Sequence, residues 1–465
     1  MTHVHFIGIG GSGLSAIARL LREQGYVISG SDRALSPLAA ELQKDGITVC
    51  TGHAPQNITG ADWVVRSSAI PDDNPEVLAA RKAGIPVYKR ADFLGSLMAP
   101  PEKDGIAIAG THGKTTTTAM IAWALAGLGA QPSFIIGGVS QNFGVNAHVG
   151  SGRAFVIEAD EYDRMFLGLR PRFAVITNIE HDHPDIYPTA QEFFDAFRQF
   201  IRLIPENGAL VTSTEDAGST MLAEEARHAG IRVIDYYIQQ KDSIRHTEWI
   251  EAVNVRPNAT GGYSFDIHAR ISGREELVQN IQLSVPGLHN VRNSLATLGI
   301  VGLMGYRLGD AAASLAEYKG TGRRFEVKGE AGGVTVIDDY AHHPTAIRAT
   351  LDAARARYPS RRIWAVWQPH TYSRTMSLFD EFASSFGQAD EVIVSEIYAA
   401  REPVQPFSAG EVVHAMKHKS AHFIPAIKEI SAYLISHLQS GDVLIVMSAG
   451  DAEQIGVDVL SGLQA

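Results

Sequence analysis

The chain has 465 residues, 45% hydrophobic and 20% charged, the composition of an ordinary soluble globular protein. That length exceeds what one core supports and implies roughly three domains. A net charge of −11 provides no basic face for a nucleic-acid backbone, and the single cysteine, Cys50, excludes an internal disulfide framework. With no signal peptide and no apolar run of spanning length, the expected setting is a reducing cytoplasm, away from membranes.

The N-terminus places an apolar run before Gly8, Gly10, Gly11, Ser12 and Gly13, then a helix from Leu14 to Leu21 and a strand ending in Asp32. This is a strand–helix–strand unit with a G-x-G-x-x-G loop and an acid at the end of the second strand. The loop fits a dinucleotide with Asp32 on a ribose hydroxyl, another diphosphate, or a purely structural turn. A further strand, Asp62 to Arg66, runs into Ser67 and Ser68, and the alternation predicts a doubly wound parallel sheet. Pro100-Pro101-Glu-Lys-Asp-Gly105 interrupts it, so the first domain is expected to span 1–100.

The second segment, expected over 101–320, opens on the strand Ile106 to Ala109, the loop Gly110, Thr111, His112, Gly113, Lys114, Thr115 and Thr116, and an apolar helix. Backbone N–H groups and the helix dipole favour an anion at such a turn. Lys114 reaches outer phosphates and the Thr115 hydroxyl is placed for Mg²⁺. Ile108 stands where a Walker A loop has its first glycine, and Lys114 is expected to be solvated. Strands ending at Glu158-Ala-Asp-Glu161 and Asn178-Ile-Glu-His-Asp-His183 bring acids and imidazoles to the same sheet edge. There Glu158 and His183 are candidate metal ligands, although clustered acids also serve as helix caps. Residues Trp249 to Val285 alternate as an antiparallel insertion, and a helix then starts at Gly287. Asn290 and Asn293 lie one turn apart on it, where they suit a base or ribose, although capping accounts for one.

The third segment, expected over 321–465, contains four strands whose polar ends point the same way. They run into Asp338-Asp-Tyr-Ala-His-His-Pro344, Gln368-Pro-His-Thr-Tyr-Ser-Arg-Thr375, Glu396 and Ser448. A site along one sheet edge follows.

With these motifs and Gly322-Arg-Arg-Phe325 quoted, the chain resembles the Mur ligases from end to end. It is more similar to the branch that adds L-alanine than to the branch that recycles murein tripeptide, which differs over Gln368 to Thr375. The resemblance implies an α/β chain of three doubly wound domains: Rossmann-like, P-loop ATPase-like and Rossmann-like. It implies an ATP-dependent ligase that joins L-alanine to UDP-N-acetylmuramate through an acyl phosphate, in peptidoglycan precursor synthesis. It further implies one or two Mg²⁺ ions, with Mn²⁺ as a substitute, and a monomer or homodimer. By the same resemblance Thr115, Glu158 and His183 hold metal, while Asn290, Asn293, Arg323 and Asp338 join the phosphate loop around ATP. The first glycine loop, Asp32, Ser67 and Ser68 hold the UDP-sugar, and Tyr340, His342, His370 and Arg374 surround the amino acid. Lys114, His183, His342 and Arg374 carry the chemistry, with Arg374 on the amino-acid carboxylate. Thr371 departs from the arginine that many members carry, leaving one cation fewer. Competing readings are an NAD-dependent oxidoreductase and a nucleotide-binding module without catalysis.

Overall fold

The computed structural model describes residues 1–98, 102–239, 245–400 and 402–464, the side chains of Ser12 and Pro37 excepted. The expected boundary at 100/101 falls on residues outside this set. Among the described residues no helix is long and apolar enough to cross a membrane.

Three sheets carry the described residues. The first orders Thr48–Thr51, Val27–Asp32, His3–Ile7, Trp63–Arg66 and Val87–Lys89, all parallel. The third orders Glu326–Ala331, Val334–Asp339, Val443–Ser448, Ile363–Gln368, Glu391–Val394 and Ala421–Phe423, parallel except for the first pair. Strands covered by helices on both faces are apolar along most of their length, and Val334–Asp339, Ile363–Gln368 and Val443–Ser448 are buried throughout.

The central sheet is larger, with ten strands. Its parallel middle places Asp104–Ala109 between Phe173–Ile176 and Ala154–Glu158. The expected antiparallel strands are present as Trp249–Pro257, Tyr263–Ile271 and Arg274–Leu283. They continue this sheet, because Trp249–Pro257 pairs in parallel with Val233–Ile238 before the hairpins begin. Helices Lys114–Gly127, Leu288–Leu303 and Leu308–Ala316 bury one face. On the other, Phe166 stacks on Phe200 in an apolar cluster that runs without a break into the first sheet.

Two consequences position the site. The parallel strands of the central and third sheets end in polar residues, and these ends face a common cleft of about 1860 Å³. The connection 320–325 between those sheets is held to the central domain, with Gly322 N–H donating to Val139 O and Gln141 N–H to Gly320 O. Arg323 and Phe325 there adopt φ of 58° and 48°, a left-handed backbone uncommon outside glycine.

Candidate active site

The phosphate loop follows Asp104–Ala109 directly. Gly110 has φ +128°, and a Cβ there would lie 2.1 Å from Thr177 Oγ1, so only glycine lets the loop turn over the neighbouring strand end. Thr111 N–H donates to Asn178 O and His112 N–H to Asn178 Oδ1, which pins the loop to the next strand. Helix Lys114–Gly127 then begins under Gly113, whose backbone is left-handed and lacks a side-chain cap. That uncapped N-terminus is where an anion gains most.

Lys114 is not solvated. Its Nζ donates to Glu161 Oε1 at 2.9 Å and to Gly110 O at 2.6 Å, and its side chain is 13% exposed against 2% for Glu161. Burial alone would lower the lysine pKa, but Glu161, Glu158 and Asp160 raise it above its ordinary value. The expectation of a solvated lysine is therefore corrected: acids at the end of Ala154–Glu158 and beyond it fold the lysine inward.

Thr115 Oγ1 donates to Glu158 Oε1 at 3.0 Å, and Glu158 Oε2 accepts from Gly137 N–H. Burial pushes the Glu158 carboxyl up, against the opposing pull of Lys114 and Arg324. Glu161 Oε2 is buried without a hydrogen-bond partner, and His183 Nε2 stands 3.6 Å from Glu161 Oε1. His183 has φ 56°, which aims its ring back at these acids. A hydroxyl, carboxylates and one imidazole with an unsatisfied oxygen make a donor set that fits Mg²⁺.

From the third domain, Asp338 Oδ2 accepts from Arg323 Nε at 3.2 Å while its Oδ1 is buried without a partner. Burial, with Glu453, Asp339 and Glu326 nearby, outweighs Arg323 and pushes this carboxyl up to about 6. The guanidiniums of Arg323 and Arg324 lie 5.2 and 5.0 Å from the Tyr340 ring, and Arg324 reaches Thr115 Oγ1 at 3.4 Å. His342 packs edge-on against both Tyr340 and His370. Its Nδ1 lies 2.8 Å from Tyr340 O, and burial, with Arg374 nearby, drives its pKa well below the ordinary range. A carbonyl only accepts, so Nδ1 carries the hydrogen and Nε2 is left as an acceptor. Tyr340, His342, His370, Thr371 and Arg374 all line the cleft.

Arg374 is committed within the protein. Its Nε donates to Asp182 Oδ1 of the central domain, and its Nη1 donates to His370 O at 3.2 Å. Arg374 thus forms an interdomain ion pair, because the Asp182 strand end and the Tyr372–Ser377 helix meet here. Asn290 and Asn293 are both buried inside helix Leu288–Leu303, and neither caps it, since the cap residue is Gly287. Asn293 Nδ2 donates to Asn290 Oδ1, and Asn290 Nδ2 to Pro286 O, which fixes both amides, with that of Asn293 beside Gly113.

The first glycine loop is only partly in the cleft. Gly13, Leu38, Arg90 and Leu94 line it, whereas Gly8, Gly10, Gly11, Asp32, Ser67 and Ser68 do not. Asp32 Oδ2 accepts from Gly10 N–H and Oδ1 from Arg33 N–H. There Asp32 shapes the loop. The Ser12 side chain lies outside the described residues. Arg90, unmarked in the sequence, lies over Gly13 and donates to Asp160, joining first and central domains. Also unassigned from sequence were Glu161, Asp182, Glu180 and Arg324, although each sits in a quoted motif and within three residues of an assigned one.

Three family descriptions match consecutive parts of the chain: the Mur ligase family catalytic domain over residues 3–100, the Mur ligase middle domain over 108–301, and the Mur ligase glutamate ligase domain over 323–450. The UDP-N-acetylmuramate–L-alanine ligase of Clostridium acetobutylicum is 41% identical over 98% of this chain and 97% of its own length. That of Desulfosudis oleivorans is 42% identical, over 99% and 98%. Among solved structures, the UDP-N-acetylmuramate-alanine ligase of Thermotoga maritima superposes with a TM-score of 0.80 at 28% identity, covering 99% of both chains. A murein peptide ligase of Psychrobacter arcticus follows at 0.71 and 27%, covering 100% of this chain and 99% of its own. The phosphate loop, the acid-tipped central strands and the polar edge of the third sheet are thus features of a shared architecture, and the chain belongs to the Mur ligase family.

Proposed function

We propose that this protein joins L-alanine to the lactyl carboxylate of UDP-N-acetylmuramate with hydrolysis of ATP to ADP, in the cytoplasm. The observation that carries the reading is the single cleft lined at once by Lys114, Glu158, Arg324, His342 and Arg374, large enough for more than one substrate. The full-length likeness to alanine-adding relatives selects the substrates.

In this reading Gly110 to Thr116 wrap the ATP phosphates and Lys114 exchanges Glu161 for phosphate oxygens, opposing the charge that develops as the sugar carboxylate attacks. Asn290, Asn293, Arg323 and the unpartnered Asp338 Oδ1 hold base and ribose. Thr115, Glu158 and His183 would hold Mg²⁺, which supplies charge neutralisation between phosphates and attacking oxygen. Attack at the γ-phosphorus forms an acyl phosphate and releases ADP. The alanine amine then adds to the acyl carbon, its proton accepted at His342 Nε2, and phosphate leaves as the amide forms. Tyr340 and His370 confine the small side chain, and Arg374, tied to Asp182, lies at the carboxylate end.

ADP release with UDP-N-acetylmuramate tests this against a panel of L-alanine, glycine, L-serine and the tripeptide L-alanyl-γ-D-glutamyl-meso-diaminopimelate. Strong dependence on L-alanine is expected. Tripeptide-dependent release without alanine-dependent release would move the chain to the recycling reaction.

A further inference from the structure

We propose that His112, Glu180 and His343 form a binding site for a divalent transition-metal ion of the Zn²⁺ class, and that the bound ion staples the phosphate loop to the third domain. The three side chains come from three places in the sequence, and their ligand atoms lie within 4.8 Å of one another. His112 Nε2 stands 3.0 Å from Glu180 Oε2, and His343 Nδ1 stands 3.7 Å from the same oxygen. The two imidazole rings are 4.9 Å apart.

The carboxylate is prepared to offer one oxygen. Thr345 Oγ1 donates to Glu180 Oε1 at 2.8 Å, which leaves Oε2 turned toward the histidines. The Glu180 backbone is fixed on both sides by Thr111 Oγ1, which donates to Glu180 O and accepts from Glu180 N–H. Such outer hydrogen bonds hold ligands in place before an ion arrives.

His343 is the least satisfied member. It is 2% exposed, Nε2 has no hydrogen-bond partner, and Nδ1 accepts only a 3.3 Å bond from Thr345 N–H. An ion on Nδ1 would take the lone pair that now accepts this long bond, a weak partner to give up. Two imidazoles and one carboxylate select a borderline metal over Mg²⁺, which prefers oxygen. The set shares no donor with Thr115, Glu158 and His183. His112 and Glu180 both border the cleft, so an ion has a way in and a fourth position remains for water.

The test uses full-length, chelator-treated protein without nucleotide and with Mg²⁺ in large excess. Added Co²⁺ is expected to give an intense visible d–d band of low coordination that saturates at one equivalent and is erased by Zn²⁺. His343→Ala and Glu180→Gln are each expected to weaken Zn²⁺ binding by at least about a hundredfold, since losing merely an outer partner of a ligand costs about 10–100-fold. X-ray absorption on the unmutated Zn²⁺ form, needing no variant to fold, should show imidazole nitrogens at about 2.0–2.1 Å. Zn²⁺ should also slow hydrogen exchange at residues 111–113 and 345–347 together. The proposal is overturned by an absorption spectrum without imidazole scattering, by folded variants that bind as the parent does, or by exchange that slows on one segment alone. None of these readouts depends on which amino acid the enzyme uses.

Discussion

Arg374 Nε donates to Asp182 Oδ1 at 2.9 Å, and each side chain is 5% exposed, so the central and third domains meet through a buried ion pair. Removing one member of such a pair leaves an uncompensated charge and costs about 3–5 kcal/mol, whereas removing both is far milder. Arg374→Ala and Asp182→Ala are each expected to lower kcat/KM for L-alanine by at least about tenfold. The double variant should lose less than the product of the two. A cycle of the four proteins, followed by kinetics and by thermal unfolding, checks this. Multiplicative losses would show the pair to be uncoupled.

Lys114→Ala should abolish ADP release and also destabilise the protein, because Glu161 is buried against the lysine. Loss of phosphate-directed charge costs on the order of a hundredfold or more in kcat. Adding Glu161→Gln to Lys114→Ala is expected to restore much of the thermal stability and none of the activity. Thermal scans that place Lys114→Ala level with the parent would contradict this account of the buried pair.

Thr115→Val and Glu158→Gln should each raise the Mg²⁺ concentration needed for half-maximal ADP release by about tenfold or more, since each removes an oxygen donor. A chelator should stop the reaction in the parent. Unchanged Mg²⁺ titrations in folded variants would place the ion elsewhere.

Glu76 sets a pH dependence in the first domain. Burial raises its pKa, but hydrogen bonds involving His5, Ser31 and Asn57 outweigh that and hold it at about 2, below its ordinary 4.5. A depressed carboxylate stabilises the fold above about pH 4.5, and that contribution is lost as the pH falls toward 2. The difference is worth about 3 kcal/mol. Glu76→Gln should therefore flatten the acid limb of stability between those values, read by denaturant unfolding at a series of pH values. A variant with the same acid limb as the parent would assign that limb to other groups.

The strand–loop–helix at Gly110 to Thr116 and the polar ends at Glu158, His183, Asp338 and Gln368 were legible because local glycine spacing and apolar runs determine them. Pairings across domains were not. Asp182 and Arg374 are 192 residues apart, and His112 and Glu180 are 68 apart, so no periodicity links them. The inward fold of Lys114 was hidden for the same reason, since it depends on which strand end lies beside the loop. The bond from Gly10 N–H to Asp32 was not legible, because a carboxylate after the second strand suits a ribose and a backbone N–H equally well in sequence. Trp249–Pro257 was legible as a strand but not as a continuation of the central sheet, because alternation says which face is buried and not which neighbour is paired.

The connection 320–325 carries Arg323 and Arg324, which line the cleft, while its backbone joins the two sheets between which that cleft opens. Any rotation of the third domain about this joint moves Asp338 and Ser448, the partners of Arg323, relative to the phosphate loop. A nucleotide that favours one orientation must then bind more tightly when an amino acid favours the same one, and the amino acid must gain by the same factor. At a usual coupling of about 1–3 kcal/mol, each ligand would sharpen the other's dissociation constant about 5–150-fold. Mutual tightening of the two ligands is then a property of one shared joint and requires no separate gate.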